Sequence, residues 1–245
     1  MKNGVGQKAQ DIYKKKLFKK IVKIIFLLLL IIISIIYLFL YVVFQGGRFT
    51  VTLDKDLSNR KSIFLSEDGK FKGKTRELSA NTIDNMDNIS IMWLPENLDT
   101  EATGAHNGDN YIAYTFYLEN DGPEEIHYWV ECYIDDVIKN VDDAMRIMIY
   151  QNGEKTLYGK RARNGNAENG TVPFLDENRV CLVGRHNFTP GTIDKYTIVI
   201  FIEGNDPECL DPLIGGEMKM HMEIQSSRND RDQNVYTNEV LSHIE

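Results

Sequence analysis

The chain has 245 residues and an acidic balance, with 36 Asp and Glu against 28 Lys and Arg and a formal net charge of −8. Its three cysteines occur in no C-x-x-C pattern and its five histidines in no H-E-x-x-H pattern. These absences exclude zinc ribbons, thioredoxin-like redox sites and the helical zinc-protease motif.

The first predicted element is a membrane span. Ile24 to Phe44 carries no charge, and its only polar side chains are Ser34, Tyr37 and Tyr41. A helix of this length, at ~1.5 Å per residue, crosses a hydrocarbon core of ~30 Å. A cleaved signal peptide has a shorter apolar core and a small-residue cleavage site, whereas bulky residues end this run. We therefore predict an uncleaved signal-anchor that contacts the lipid bilayer through Ile24 to Phe44.

The charges before the span predict its direction. Residues 1–23 contain eight lysines and a single aspartate, a net charge of +7, which leaves −15 for the remainder. Lys and Arg stay on the cytoplasmic side, so we expect a cytoplasmic N-terminus and an extracellular C-terminal domain. The lysines are also suited to contact with anionic lipid head groups. Nucleic acid is not an expected partner, because the basic head is short and fused to a membrane span.

The chain after the span divides by composition. Gly46 and Gly47 end the helix, since glycine disfavours helix. We predict a basic cytoplasmic head over 1–23, the span over 24–44, a linker with the first strand over 45–52, an extracellular domain over 53–224 and a polar, disordered tail over 225–245.

Alternation of apolar and polar residues dominates this domain and is typical of half-buried strands. Tyr111–Leu118 and Ile126–Ile134 alternate around the turn-forming run Glu119–Pro123, and we expect them to form a hairpin. Their inward faces would carry Ile112, Tyr114, Phe116, Leu118, Ile126, Tyr128, Val130, Cys132 and Ile134.

A second hairpin is predicted where Asn152-Gly153 separates Met145–Tyr150 from Lys155–Tyr158, because both central residues of a type I′ turn need positive φ. Two further strands alternate over Tyr196–Glu203 and Glu217–Ile224. Their inward residues would be Tyr196, Ile198, Ile200, Ile202, Met218, Met220, Met222 and Ile224, which leaves Thr197, Val199, Phe201 and Glu203 outward. Weaker strand signals lie at Phe49–Leu53, Ile63–Leu65, Ile89–Leu94 and Arg179–Val183, with a short helical turn between Asp135 and Asp143. These many short strands predict a mainly β fold, an antiparallel two-sheet sandwich.

Several of these runs resemble a known family. TFYLENDGPEEIHYWVECYI (residues 115–134), FTPGTIDKYTIVIFIEGNDPEC (188–209) and LIGGEMKMHMEI (213–224) are similar to the TasA/camelysin-like jelly-roll surface proteins of Gram-positive bacteria. The start GRFTVTL (47–53) resembles uncharacterised membrane-anchored clostridial proteins of that type. The resemblance implies a jelly-roll sandwich that is displayed at the cell surface and assembles with itself or a partner. TasA-type proteins are released by a signal peptidase, whereas this chain has no suitable cleavage site.

The histidines and cysteines give few candidates for chemistry. His127 and His221 fall on the polar faces of their strands and are expected to be solvated. Cys132 falls on an apolar face and is expected to be a buried thiol. Cys181 and Cys209 are a possible disulfide outside the cell, and three free thiols are the alternative.

Acidic residues concentrate in loops and make calcium the one metal to consider. Glu203, Asp206, Glu208 and Asp211 occupy one turn-rich stretch, and calcium takes six to eight oxygen ligands. No run matches the D-x-[DN]-x-[DN]-G loop. A solvated acidic surface is the alternative.

Three function classes follow. The first, which we favour, is a non-enzymatic surface or assembly module that associates with itself or with another exported protein. The second is an extracellular domain that senses a ligand or partner. The third is a hydrolase whose site is assembled from loops. No catalytic or cofactor-binding residue is assigned, because no nucleophile, base and oxyanion donor occur in a matched pattern.

Overall fold

The computed structural model describes residues 3–44, 49–81, 83, 86–101 and 103–226, and the predicted tail lies almost entirely outside them. The chain forms two compact units, residues 1–46 and 47–245, which are described separately. The first is a single helix, α1 (Asn3–Phe44). Its part from Tyr13 to Leu40 is exposed throughout, and it is long and apolar enough to cross a membrane. The one N-terminal apolar helix predicted from the sequence is therefore present.

The described part of the second unit contains thirteen strands and one short α-helix, with 3-10 turns between some of them. The elements are β1 (Phe49–Leu53), α2 (Lys55–Arg60), β2 (Ile63–Ser66), β3 (Glu77–Ala80), β4 (Asn88–Ile89), β5 (Gly104–Ala105), β6 (Tyr111–Asn120), β7 (Ile126–Ile138), β8 (Met145–Gln151), β9 (Glu154–Gly159), β10 (Val172–Pro173), β11 (Arg179–Phe188), β12 (Ile193–Glu203) and β13 (Glu217–Gln225).

These strands form two sheets. The five-stranded sheet has the order β11-β7-β13-β1-β3, and the eight-stranded sheet has the order β10-β9-β8-β12-β6-β2, with β4 paired to β12 and β5 to β6. Most pairs are antiparallel, but β1 is parallel to β13, β10 to β9 and β4 to β12. The fold is thus the mainly β, sandwich-like arrangement that was predicted, with mixed sheets. Parallel pairing needs a long crossover, and a long stretch of chain separates β1 from β13.

The main core lies between the inner faces of the two sheets. Tyr114, Phe116 and Leu118 of β6 are buried there with Met220 and Met222 of β13, as the alternation predicts. The inward residues of β7 and β12 join the same cluster. Burial of each large apolar side chain contributes roughly 1.5–3 kcal/mol, so these faces supply most of the stabilisation.

A second, smaller core covers the outer face of the eight-stranded sheet. Val199 and Phe201 of β12 are buried there against Leu94 and Leu98, so the face that alternation sets opposite the main core is also buried, by a second layer. The segment from β4 to Thr100, which we call the cover segment, supplies the opposing side chains. In place of the expected strand Ile89–Leu94, the structure has β4 followed by a short 3-10 helix, Ile91–Trp93, and Ser90 is the N-cap of that helix.

One predicted hairpin is present and the other is not. β8 and β9 pair around Asn152 and Gly153, which have φ of 53° and 90°, as a type I′ turn requires. β6 and β7 belong to different sheets, because β6 pairs with β12 while β7 pairs with β13 and β11. The run Glu119–Pro123 therefore crosses from one sheet to the other.

A buried polar network joins the two sheets across the main core. Asp194 of β12 is 1% exposed and accepts hydrogen bonds from Tyr128 Oη (2.5 Å), Arg185 Nε (2.9 Å) and Asn152 Nδ2 (2.7 Å). The Tyr196 hydroxyl lies 2.8 Å from that of Tyr128. Burial, above all, raises the pKa of both tyrosines, so they remain protonated donors. We call these five residues the Asp194 network.

Candidate functional site

The acidic loop after β12 brings two carboxylates to a third from a distant loop. Asp206 and Glu208 follow β12, and Glu168 lies between β9 and β10. One carboxylate oxygen from each residue lies within 4.8 Å of the others. Asp206 and Glu208 are buried and Glu168 is half-buried. We refer to these three residues as the carboxylate cluster.

A buried arginine occupies the inner side of the carboxylate cluster. Arg146 of β8 is 4% exposed, donates to the carbonyl of Met145 at 3.0 Å and forms an ion pair with Asp206. Its Nη2 lies 3.8 Å from Glu168 Oε2. Burial, followed by the charge of Asp206, raises the pKa of Glu168 and so favours its neutral form. Two of the three carboxylates in the cluster therefore face one cation that belongs to the fold.

Further cations extend this ion-pair network to the surface. Lys160 Nζ lies 2.7 Å from carboxylate oxygens of both Asp142 and Asp143. The backbone N–H of Arg163 donates to Glu208 Oε1 at 2.7 Å, and its guanidinium is 3.6 Å from Asp143. These contacts tie the chain after β9 to the 3-10 turn that precedes β8, so the network orders loops that have no strand partners.

The structure unites two of the four calcium candidates. Asp206 and Glu208 lie together, but Glu203 instead accepts the backbone N–H groups of Ile91 (3.0 Å) and Asn205 (2.9 Å). Asp211 is an exposed residue in the first turn of a 3-10 helix. Calcium binding stays a prediction. A calcium ion at the carboxylate cluster would compete with the guanidinium that already contacts Asp206, which lowers the expected affinity.

The cysteines are free thiols in the structure, so Cys181 and Cys209 are not paired there. Cys181 is buried in β11 and lies directly opposite Cys132 of β7, whereas Cys209 is half-buried in the loop after β12. Burial raises the pKa of Cys181 to about 12 and raises that of Cys132 as well. The two core thiols are therefore neutral and unreactive at neutral pH.

The polar contacts of His106, His127 and His221 are to backbone groups and carboxylates. The ring of His106 contacts the carbonyls of Gly104 and Leu98, each at 3.1 Å. His221 lies 2.8 Å from Asp135 and 3.7 Å from Glu223. Within the described ranges, no histidine ring is hydrogen-bonded to a serine, threonine or cysteine side chain. His243 falls outside those ranges.

The outer face of the five-stranded sheet carries most of these rings. Trp129 lies close over Gly184, where an added Cβ would come within 2.7 Å of the indole. The ring of His186 is 5.3 Å from that of His127 and 5.9 Å from that of Trp129. The ring of Tyr133 is stacked on that of His221 at 4.9 Å. We call this surface the aromatic face. The sequence placed its β7 residues outward, but it gave no sign that β11 and β13 would add rings beside them.

An open strand edge borders the aromatic face. β11 pairs with β7 on one side, and its first two residues accept backbone hydrogen bonds from Leu175 and Asp176 on the other. From Leu182 to Arg185 no described strand pairs with that second side. A register shift between Arg185 and Phe188 then ends the regular edge. Next to this strand, a shallow groove of about 510 Å³ is lined by Tyr133 and residues 176–179.

Comparisons with known proteins add little to this description. No family model matches the chain, and no curated protein matches it. Among solved structures, it is similar to a β-glucosidase from Kluyveromyces marxianus in complex with glucose, at 11% identity and a TM-score of 0.28, over 74% of this chain and 18% of that one. A second structure of the β-glucosidase from the same organism gives 10% identity and a TM-score of 0.27, over 69% and 18%. The chain thus corresponds to under a fifth of these enzymes' length.

Proposed function

We propose that this protein is a membrane-anchored extracellular β-sandwich that works by binding another protein, as a surface or assembly module. The apolar part of α1 is its anchor. The lysine-rich residues before the span and the acidic domain after it support a cytoplasmic N-terminus. The large domain then lies at the outer surface of the cell membrane.

The open edge of β11 is the observation that carries this proposal. The free side of an edge strand presents N–H and C=O groups to which a partner strand can bind. Here that edge adjoins the aromatic face, and tryptophan and tyrosine are enriched where proteins bind one another. A membrane anchor also concentrates the domain near neighbouring exported proteins.

The resemblance to TasA/camelysin-like surface proteins supports an assembly role and a jelly-roll relationship. Two observations favour binding over hydrolysis: the sequence has no matched catalytic pattern, and no histidine ring in the described part of the chain is hydrogen-bonded to a serine, threonine or cysteine side chain. The ion pairs around the carboxylate cluster hold loops together and suit a structural role.

Crosslinking in intact cells tests the proposal. We expect the parent protein to be recovered with itself or with another exported protein. Leu182→Lys places a charge on the open edge, and such charges block strand addition. We expect this variant to lose most of the crosslinked product.

The matched control lies at the opposite edge of the same sheet. Ser79→Lys introduces the same side chain on β3, at an exposed position, and should leave the crosslinked product unchanged. Both variants should melt within a few degrees of the parent. Equal crosslinking of the parent and Leu182→Lys would refute a role for this edge. Loss of product in both variants would point to the sheet as a whole.

A further inference from the structure

The helix α1 is amphipathic in the turns that precede its apolar span. We define Tyr13–Lys23 as the juxtamembrane segment, in which all side chains are exposed. At 3.6 residues per turn, five of its six lysines fall within roughly 140° of the helix circumference. These five, which we call the lysine side, are Lys15, Lys16, Lys19, Lys20 and Lys23.

The opposite side of the juxtamembrane segment is apolar. Its side chains are between 44% and 68% exposed. Lys14 is the one charge on this side, and its long side chain can extend past its neighbours to reach a polar surface. The five apolar residues are Tyr13, Leu17, Phe18, Ile21 and Val22.

The length of α1 determines where this apolar side falls. The helix has 42 residues, which corresponds to ~63 Å, whereas the hydrocarbon core it crosses is ~30 Å thick. With Ile24–Phe44 in the core, the juxtamembrane segment extends ~16 Å further, but the head-group layer on each side is only ~5–8 Å deep. An upright helix would leave the outermost apolar residues, Tyr13, Leu17 and Phe18, in water.

We propose that the juxtamembrane segment binds the head-group region of anionic phospholipids in the leaflet nearest to it. The apolar side inserts at the boundary between head groups and acyl chains, and the lysine side contacts the lipid phosphates and carboxylates. One surface then contacts both sides of the segment, and α1, which is a single helix from Asn3 to Phe44, has to bend where the segment meets the span. The proposal rests on the membrane span of the proposed function, but it holds for either orientation of that span.

The test uses the full chain reconstituted into vesicles, with Phe18→Cys carrying an environment-sensitive fluorophore in a Cys209→Ser background. One set of vesicles is phosphatidylcholine alone, and the other also contains phosphatidylserine. We expect a blue-shifted emission and several-fold stronger quenching by lipids brominated near the head group, in the anionic vesicles only. High salt should reverse both effects, because salt screens the lysine contacts.

Two variants separate the contributions, and a third is the control. Replacement of the five lysines of the lysine side by glutamine should make the emission and the quenching equal in neutral and anionic vesicles. The double variant L17Q and I21Q should weaken the quenching in anionic vesicles several-fold. K14Q, which removes one charge from the other side, should change little. Co-flotation of the protein with both kinds of vesicle reports the span itself, so failure of the anchor is distinguishable from failure of this proposal.

Three outcomes would overturn the proposal. Equal quenching in neutral and anionic vesicles would show that the apolar side binds without lipid charge. An unshifted emission in both would show that the segment stays in water. A blue shift that depends on the protein-to-lipid ratio and not on lipid charge would show that a second copy of the chain covers the apolar side.

Discussion

Removal of the Asp194 carboxylate tests how the two sheets are held together. Asp194→Ala leaves the Tyr128 hydroxyl, the Arg185 guanidinium and the Asn152 amide without their shared acceptor. Tyr128 keeps its contact with Tyr196, so the largest loss falls on Arg185.

The magnitude follows from the burial of each partner. Breaking a buried ion pair by removing one member costs about 3–5 kcal/mol. The Arg185 side chain is 28% exposed, so water recovers part of this cost, and we expect a loss of about 2–4 kcal/mol. Asp194→Asn keeps an oxygen acceptor and should lose about 1–2 kcal/mol. For a domain of this size the alanine variant should melt roughly 4–16 °C below the parent.

The assay is thermal and urea unfolding of the compact unit from Gly47 onward, followed by circular dichroism. Glu125→Ala, at an exposed position, is the control and should stay within about 0.5 kcal/mol of the parent. If Asp194→Ala is as stable as this control, the Asp194 network does not hold the two sheets together.

Three further predictions concern the core, the thiols and the loops. Ile200→Asp buries an unpaired charge and should unfold the same unit, whereas Lys219→Ala should be nearly neutral in the same assay. N-ethylmaleimide should modify Cys209 in the folded protein, but Cys132 and Cys181 only after unfolding, because burial raises the pKa of both core thiols. Rapid modification of all three cysteines, or a mass that shows a disulfide, would contradict this. Millimolar calcium should raise the melting temperature more than magnesium does if the carboxylate cluster binds it, and an equal response to the two ions would remove calcium from consideration.

The sequence was informative wherever one strand face meets the main core. Tyr114 and Met222 were placed inward by alternation alone, since in a half-buried strand every second side chain points to the core and is apolar. Alternation failed for Val199 and Phe201, because their face is buried by the cover segment, whose packing position depends on the whole fold. The sequence also could not predict that β6 and β7 belong to different sheets, since a turn-rich linker suits a hairpin and a crossing between sheets equally well.

The carboxylate cluster could likewise be predicted only in part from the sequence. Asp206 and Glu208 are close in sequence and were singled out, but Glu168 comes from a loop about forty residues earlier and carries no local signal. Arg146 was missed because it lies on a strand whose other residues are mostly apolar. Only the tertiary fold brings a strand arginine and loop carboxylates from these three segments together.

The cover segment also makes the two outer faces of the domain different from each other. It buries much of the outside of the eight-stranded sheet, while the described residues place no second layer over the aromatic face. A body with one open face can meet its own copy across a twofold axis, and that arrangement closes at two subunits. An indefinite array would need a second, complementary surface on each copy, and the strand edges of the five-stranded sheet are the surfaces at hand. A filament would have to use the β3 edge as well as the β11 edge, so the unchanged product expected of Ser79→Lys corresponds to a closed pair of domains and not to a growing array.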